Sequence, residues 1–164
     1  MHELRPEAER VAALLIARKQ TVAVSESSTG GLVSAALLAV PGASAFFQGG
    51  AVVYTAKARS VLLGIADTDM HGIRSASEPY ARLAAERVRA RFGTDWGLAE
   101  TGAAGPSGNR YGDAAGHCCL AVAGPGGRVL TIETASADRA ANMVRFGEAL
   151  LSLFAAVLTD QPAA

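Results

Sequence analysis

The sequence is short of net charge, of aromatic residues and of cysteine, and each shortage excludes something. Fifteen basic side chains balance fifteen acidic ones. Electrostatic docking onto nucleic acid or an anionic membrane therefore has no support, and neither partner is expected. Only 5% of residues are aromatic, too few for a base-stacking platform. The two cysteines, Cys118 and Cys119, are adjacent. On a strand they point to opposite faces, which leaves two reduced thiols in a reducing compartment. The polar start from Met1 to Pro6 lacks a signal-peptide core. No apolar run approaches the ~18 residues a membrane helix needs, and a cytoplasmic chain is expected.

Several catalytic signatures are also missing. There is no Gly-x-Ser-x-Gly elbow. Neither lysine, Lys19 or Lys57, follows a glycine, so no Walker-type phosphate loop exists. His2, His71 and His117 are scattered. Without a His-Glu-x-x-His or Cys-x-x-Cys spacing, no protein-bound zinc is expected, and no spacing favours a Ser-His-Asp triad.

What is present is a chain of 164 residues, half of them apolar, the size of one domain with a sizeable core. Residues 6–18 predict a helix, with proline and acids first and Arg18 last. The β-branched run 21–24 predicts a buried strand. Further helices are expected over 32–40, 56–63, 77–92 and 137–158, and strands over 51–54, 96–100, 117–123 and 129–135. Gly124-Pro125-Gly126-Gly127 between the last two strands signals a hairpin. Strand–helix alternation followed by a hairpin predicts a single three-layer α/β/α sandwich with a mixed sheet over residues 1–164.

Three segments could carry chemistry. Ser25 to Gly31 joins a strand end to a helix start, where free N–H groups and two glycines suit a phosphate. Simple capping by Ser or Thr is the competing use. Ser44 in Gly42-Ala43-Ser44-Ala45-Phe46-Phe47, followed by Tyr54, Lys57 and Arg59, could supply a hydroxyl nucleophile and its proton acceptor. A turn serine and solvated cations are the plainer reading. Thr101 to Gly108 could offer backbone donors to an oxyanion, or be a surface loop.

In order along the chain, these segments resemble one family. Ser25-Glu26-Ser27-Ser28-Thr29-Gly30-Gly31 is similar to the Ala-Glu-Ser-Cys-Thr-Gly-Gly signature of the CinA C-terminal family, the nicotinamide-nucleotide amidases. Residues 42–47 with Gly50, Val53 and Tyr54 resemble its Gly-Ser-Ser-x-Trp-Phe and Gly-x-Val-x-Tyr segments. Ser77-Glu78, Thr101-Gly102-Ala103-Ala104-Gly105-Pro106, and Asp138-Arg139 with Val144-Arg145 match its remaining motifs.

The resemblance implies a three-layer α/β/α fold, a homodimer, and no metal or organic cofactor. It implies hydrolysis of the carboxamide of nicotinamide mononucleotide, giving nicotinic acid mononucleotide and ammonia. It puts the catalytic serine on Ser44 and the tyrosine on Tyr54. The family's lysine position is occupied by Arg59, with Lys57 two residues before it. Arginine stays protonated and cannot serve as a base. Substrate contacts are expected from Ser27, Thr29, Gly30, Gly31, Thr101, Gly102, Gly105, Arg139 and Arg145. The expected mechanism is attack by Ser44, proton relay by Tyr54 beside Arg59 or Lys57, and phosphate held at Gly30 and Gly31. The rival expectation is a non-catalytic module of the same fold that binds a nucleotide or phosphate.

Overall fold

The computed structural model describes residues 2–162; Met1 and residues 163–164, the ends of the expected single domain, lie outside that range. The described residues form α1 (Arg5–Arg18), β1 (Val22–Glu26), α2 (Leu32–Leu38), β2 (Phe47–Val52), α3 (Ala56–Leu63), α4 (Glu78–Phe92), β3 (Trp96–Ala103), β4 (His117–Ala123), β5 (Arg128–Glu133) and α5 (Arg139–Asp160). Three of these helices begin where short polar side chains satisfy their first N–H groups. Thr55, Ser77 and Asp138 accept from Ala58, Tyr80 and Ala141 at the starts of α3, α4 and α5.

The sheet runs β2-β1-β3-β4-β5. β2, β1 and β3 are parallel, and β4 and β5 return antiparallel. Successive strand residues enter two different cores. Val22, Val24, Leu98, Leu120 and Val122 pack under α1, α2 and α5, where Trp96 meets Phe154 edge-on at 5.5 Å. Ala23, Ala99, Cys119, Ala121 and Ala123 face α4. Cys118 and Cys119 separate into these two cores, both as free thiols. The three-layer α/β/α sandwich with a mixed sheet is thus the observed architecture.

Two expectations are corrected. The second strand covers Phe47–Val52 and not 51–54. Its glycines, Gly49 and Gly50, are packing sites. A Cβ on Gly49 would come 2.6 Å from Phe92 Cε1, and one on Gly50 would come 2.0 Å from Ser34 Oγ. Among the described residues one helix, α5, is also long and apolar enough by length and composition to cross a membrane. In this fold its apolar face is used internally, with Phe146, Leu150, Leu151 and Phe154 buried against the sheet and its neighbouring helices.

Candidate functional site

The three parallel strands end side by side. β1 lies between β2 and β3, and the Val53 N–H donates to the Glu26 carbonyl at 2.6 Å just past the strand ends. Ligands of open α/β sheets bind at such carboxyl ends. Here the loops after Glu26, Val52 and Ala103 converge.

The loop after β1 is organised by two buried carboxylates. Glu26, fully buried, accepts from Gly31 N, Val33 N, Ser34 N, Ser34 Oγ and Thr29 Oγ1 at 2.6–3.1 Å. Glu100, at 2% exposure, accepts from Ser27 N and Thr29 N at 2.5 and 2.8 Å, and its Oε1 lies 2.9 Å from Thr29 Oγ1. Burial raises the Glu100 carboxyl above its ordinary range, the Thr29 and Ser27 donors opposing the shift. This overturns the expectation of a phosphate at Gly30 and Gly31. The N–H groups that start α2 already serve the protein's own anion, the Glu26 side chain. Thr29 is fully buried between the two carboxyl groups and does not line a cavity.

Outside this loop lies a cavity of about 700 Å³. It brings together Ser27, Tyr54, Arg59, Thr101 and Gly102. Ser27 follows β1, Tyr54 follows β2, Arg59 projects from α3, and Thr101 and Gly102 belong to β3. Arg59 is 8% exposed; its Nη2 lies 2.8 Å from Asp67 Oδ1, and its Nε has no hydrogen-bond partner. Thr101 Oγ1 accepts the Ala76 N–H at 3.1 Å, which leaves its own hydroxyl hydrogen to donate. A smaller adjoining cavity of about 210 Å³ lies beyond Tyr54. Gly105 and Arg139 line it, Arg139 reaching the Gly105 carbonyl at 2.6 Å and the Tyr54 hydroxyl at 3.3 Å.

The far wall was not read from the sequence. Arg74, Arg110 and Tyr111 line the main cavity. Arg74 makes a two-pronged pair with Asp113 at 2.6 and 3.1 Å. That pairing holds Asp113 below the usual carboxylate range. Both guanidinium carbons, of Arg74 and Arg110, lie 5.1 Å from the Tyr111 ring centre. The Arg110 hydrogen bond, chiefly, draws the Tyr111 phenol downward. An Arg-Tyr pair inside a glycine-rich loop was the available signal. Behind this wall His117 bonds Glu133 through Nδ1 at 2.5 Å and the Ala76 carbonyl through Nε2 at 3.0 Å.

Three further expectations fail on geometry. Ser44 lies in a short 3-10 turn, Ala43–Ala45, that precedes β2, whereas Tyr54 follows it. The six residues of β2 span about 20 Å. Ser44 is exposed at the opposite end of the sheet and cannot share a reaction with Tyr54; the serine on the cavity is Ser27. Lys57 is exposed on α3 outside the cavity lining, while Arg59, two residues on, turns inward. Arg145 is exposed on α5 and lines neither cavity. Among the described residues no cluster of three or more His, Cys, Asp or Glu side chains is placed to hold a metal.

The family described as "CinA C-terminal domain" matches residues 4–158. A CinA-like protein of Synechococcus sp. (strain CC9902) is 44% identical over 77% of the chain, and one of Anaeromyxobacter sp. (strain K) is 43% identical over 80%. The chain spans about 30% of the length of these relatives. A solved CinA superfamily protein of Klebsiella pneumoniae superposes with a TM-score of 0.90 at 25% identity, covering 96% of this chain and 99% of that one. A competence/damage-inducible protein of Agrobacterium tumefaciens superposes at 0.85 with 26% identity, covering 94% and 95%.

Proposed function

We propose, from the premise that the chain belongs to the CinA C-terminal domain family, that its main cavity takes a nicotinamide nucleotide and hydrolyses the carboxamide. Nicotinamide mononucleotide is the substrate, and nicotinic acid mononucleotide and ammonia are the products. One observation carries the reading: Ser27, Tyr54 and Thr101 meet on a single cavity at the ends of three parallel strands, opposite arginines. Ser27 Oγ attacks the carboxamide carbon. Its proton passes through the Tyr54 phenol to the departing nitrogen, the C–N bond breaks, and ammonia leaves. The Thr101 hydroxyl donates to the oxyanion that forms, an interaction worth roughly 3–4 kcal/mol for a good donor. Water then attacks the ester, releases the carboxylate and restores the Ser27 hydroxyl. Arg110 and the free side of Arg59 attract the phosphate. A cytoplasmic homodimer belongs to the same reading.

Arg59 itself favours a second reading. It is a fixed cation where a base is wanted, so the same cavity could hold the nucleotide without turning it over. The experiment separates the two. Purified protein receives nicotinamide mononucleotide, ammonia release is followed, and melting temperature is measured with and without ligand. Turnover that is lost in Ser27→Ala supports the amidase. Stabilisation without turnover supports the binding module. Neither stabilisation nor turnover sinks both.

A further inference from the structure

The Thr29 hydroxyl oxygen lies 2.8 Å from Glu26 Oε2 and 2.9 Å from Glu100 Oε1, inside the protein. Two oxygen–oxygen contacts at hydrogen-bond distance need two hydrogens, and the threonine hydroxyl supplies one. The second must come from a carboxyl group. Glu26 has four other N–H or O–H donors, three of them backbone amides beside the start of α2, and they occupy both of its oxygens as acceptors. Glu100 has fewer. Besides the loop donors Ser27 N and Thr29 N and the Thr29 hydroxyl oxygen, it faces the Cys118 thiol of β4 at 3.8 Å and the charge of Glu26 on β1. From α4, the Tyr80 phenol also faces Glu100. No cation acts on it among these groups.

We propose that Glu100 is a neutral carboxylic acid that positions Ser27, and that the Ser27–Gly31 loop keeps its shape only while Glu100 holds its proton. The chain of contacts is continuous. Glu100 holds Ser27 N and Thr29 N, and its proton completes the row Glu100–Thr29–Glu26. Glu26 then fixes the start of α2. Loss of the proton to solvent places two negative carboxylates against one hydroxyl in a buried site, and the segment carrying Ser27 must move. Glu100 touches no substrate in this account; it acts through the Ser27 backbone. The proposal uses the amidase reading only to name Ser27 as the reactive hydroxyl.

Three measurements on the full chain test it. The infrared spectrum of the wild type at about pH 7 should contain the carbonyl band of a buried protonated carboxylic acid, absent from Glu100→Gln. The wild type should lose melting temperature relative to Glu100→Gln as pH rises, the gap widening by about 4 °C for each unit by which Glu100 is raised. The pH profile of nicotinamide mononucleotide hydrolysis should lose its alkaline fall in the variant. A wild type without the band, or melting curves that stay parallel with pH, overturns the proposal; if the glutamine variant does not fold, the wild-type band alone decides. If neither protein hydrolyses the nucleotide, the amidase reading fails while the band and the melting curves still decide this one.

Discussion

Arg59 closes onto Asp67 across 2.8 Å at the wall of the main cavity, and its Nε finds no partner. An arginine so placed holds a fixed positive charge and offers no proton acceptor. A lysine at 59 would offer an amine whose burial lowers its proton affinity. Arg59→Lys should therefore raise nicotinamide mononucleotide hydrolysis by at least about 100-fold, the low end of what a positioned base contributes. Ammonia release at saturating substrate measures it. An unchanged or slower rate means that the absent base is not the limit.

The two serines give a paired test. Ser27 lines the cavity, and Ser44 lies beyond the other end of β2. Ser27→Ala should reduce turnover by at least about 10³-fold, as loss of a nucleophile does. Ser44→Ala should leave it within about twofold, as expected of a surface change away from the chemistry. The reverse result returns the reaction to the far end of the sheet and dissolves the site.

How far the sequence could be read follows from which residues act locally. Pro6 and Arg18, the Ser77 cap and the Gly93 stop act within one turn, and the helices they bound are where the pattern put them. The hairpin around residues 124–127 is equally local. Ser44 was misplaced because closeness in sequence to Tyr54 says nothing about which end of a strand each occupies. Parallel pairing of β1 with β2 sends the start of β2 away from the site. Arg74 and Asp113 lie 39 residues apart, and only the folded chain joins them. Glu100 was visible as an acid at the end of an apolar run, Trp96-Gly97-Leu98-Ala99, which is the mark of a buried carboxyl; its partner Glu26, 74 residues earlier, was not.

Removing Glu26 should cost stability and binding together. Its carboxylate serves five donors, four of them besides Thr29. Unmade buried bonds cost about 1–3 kcal/mol each, and relaxation recovers part of the sum. Glu26→Ala should lower unfolding free energy by about 4 kcal/mol, read as a lower urea midpoint with an unchanged slope. A loss under about 1 kcal/mol would mean that water replaces the carboxylate and that the loop does not depend on it.

His117 gives the last prediction, and it has a definite sign. Burial opposes charge on the ring, but the Glu133 carboxylate, the Ala76 carbonyl and Asp113 at 3.8 Å outweigh it, so its proton affinity is raised. Both ring nitrogens meet acceptors, which requires both to donate, and only the charged ring does so. The Cys119 sulfur at 3.6 Å is neutral, its own proton affinity raised chiefly by burial. Arg74, bound to Asp113, is a cation at this end. A histidine raised on folding adds stability that is complete below its unfolded value, about 6.5, and is lost as pH rises through the folded value. The urea midpoint of the wild type should fall over that window, and His117→Gln should remove the fall. Ring-proton titration by NMR should place the wild-type midpoint above about 6.5. Glu100 drives stability in the same direction from a lower starting pH, so the two variants must be compared separately. If His117→Gln keeps the full slope, the ring is neutral, and either Glu133 or the Ala76 carbonyl has lost its donor. The segment carrying Arg74 to the cavity is then held by Asp113 and Thr101 without help from His117.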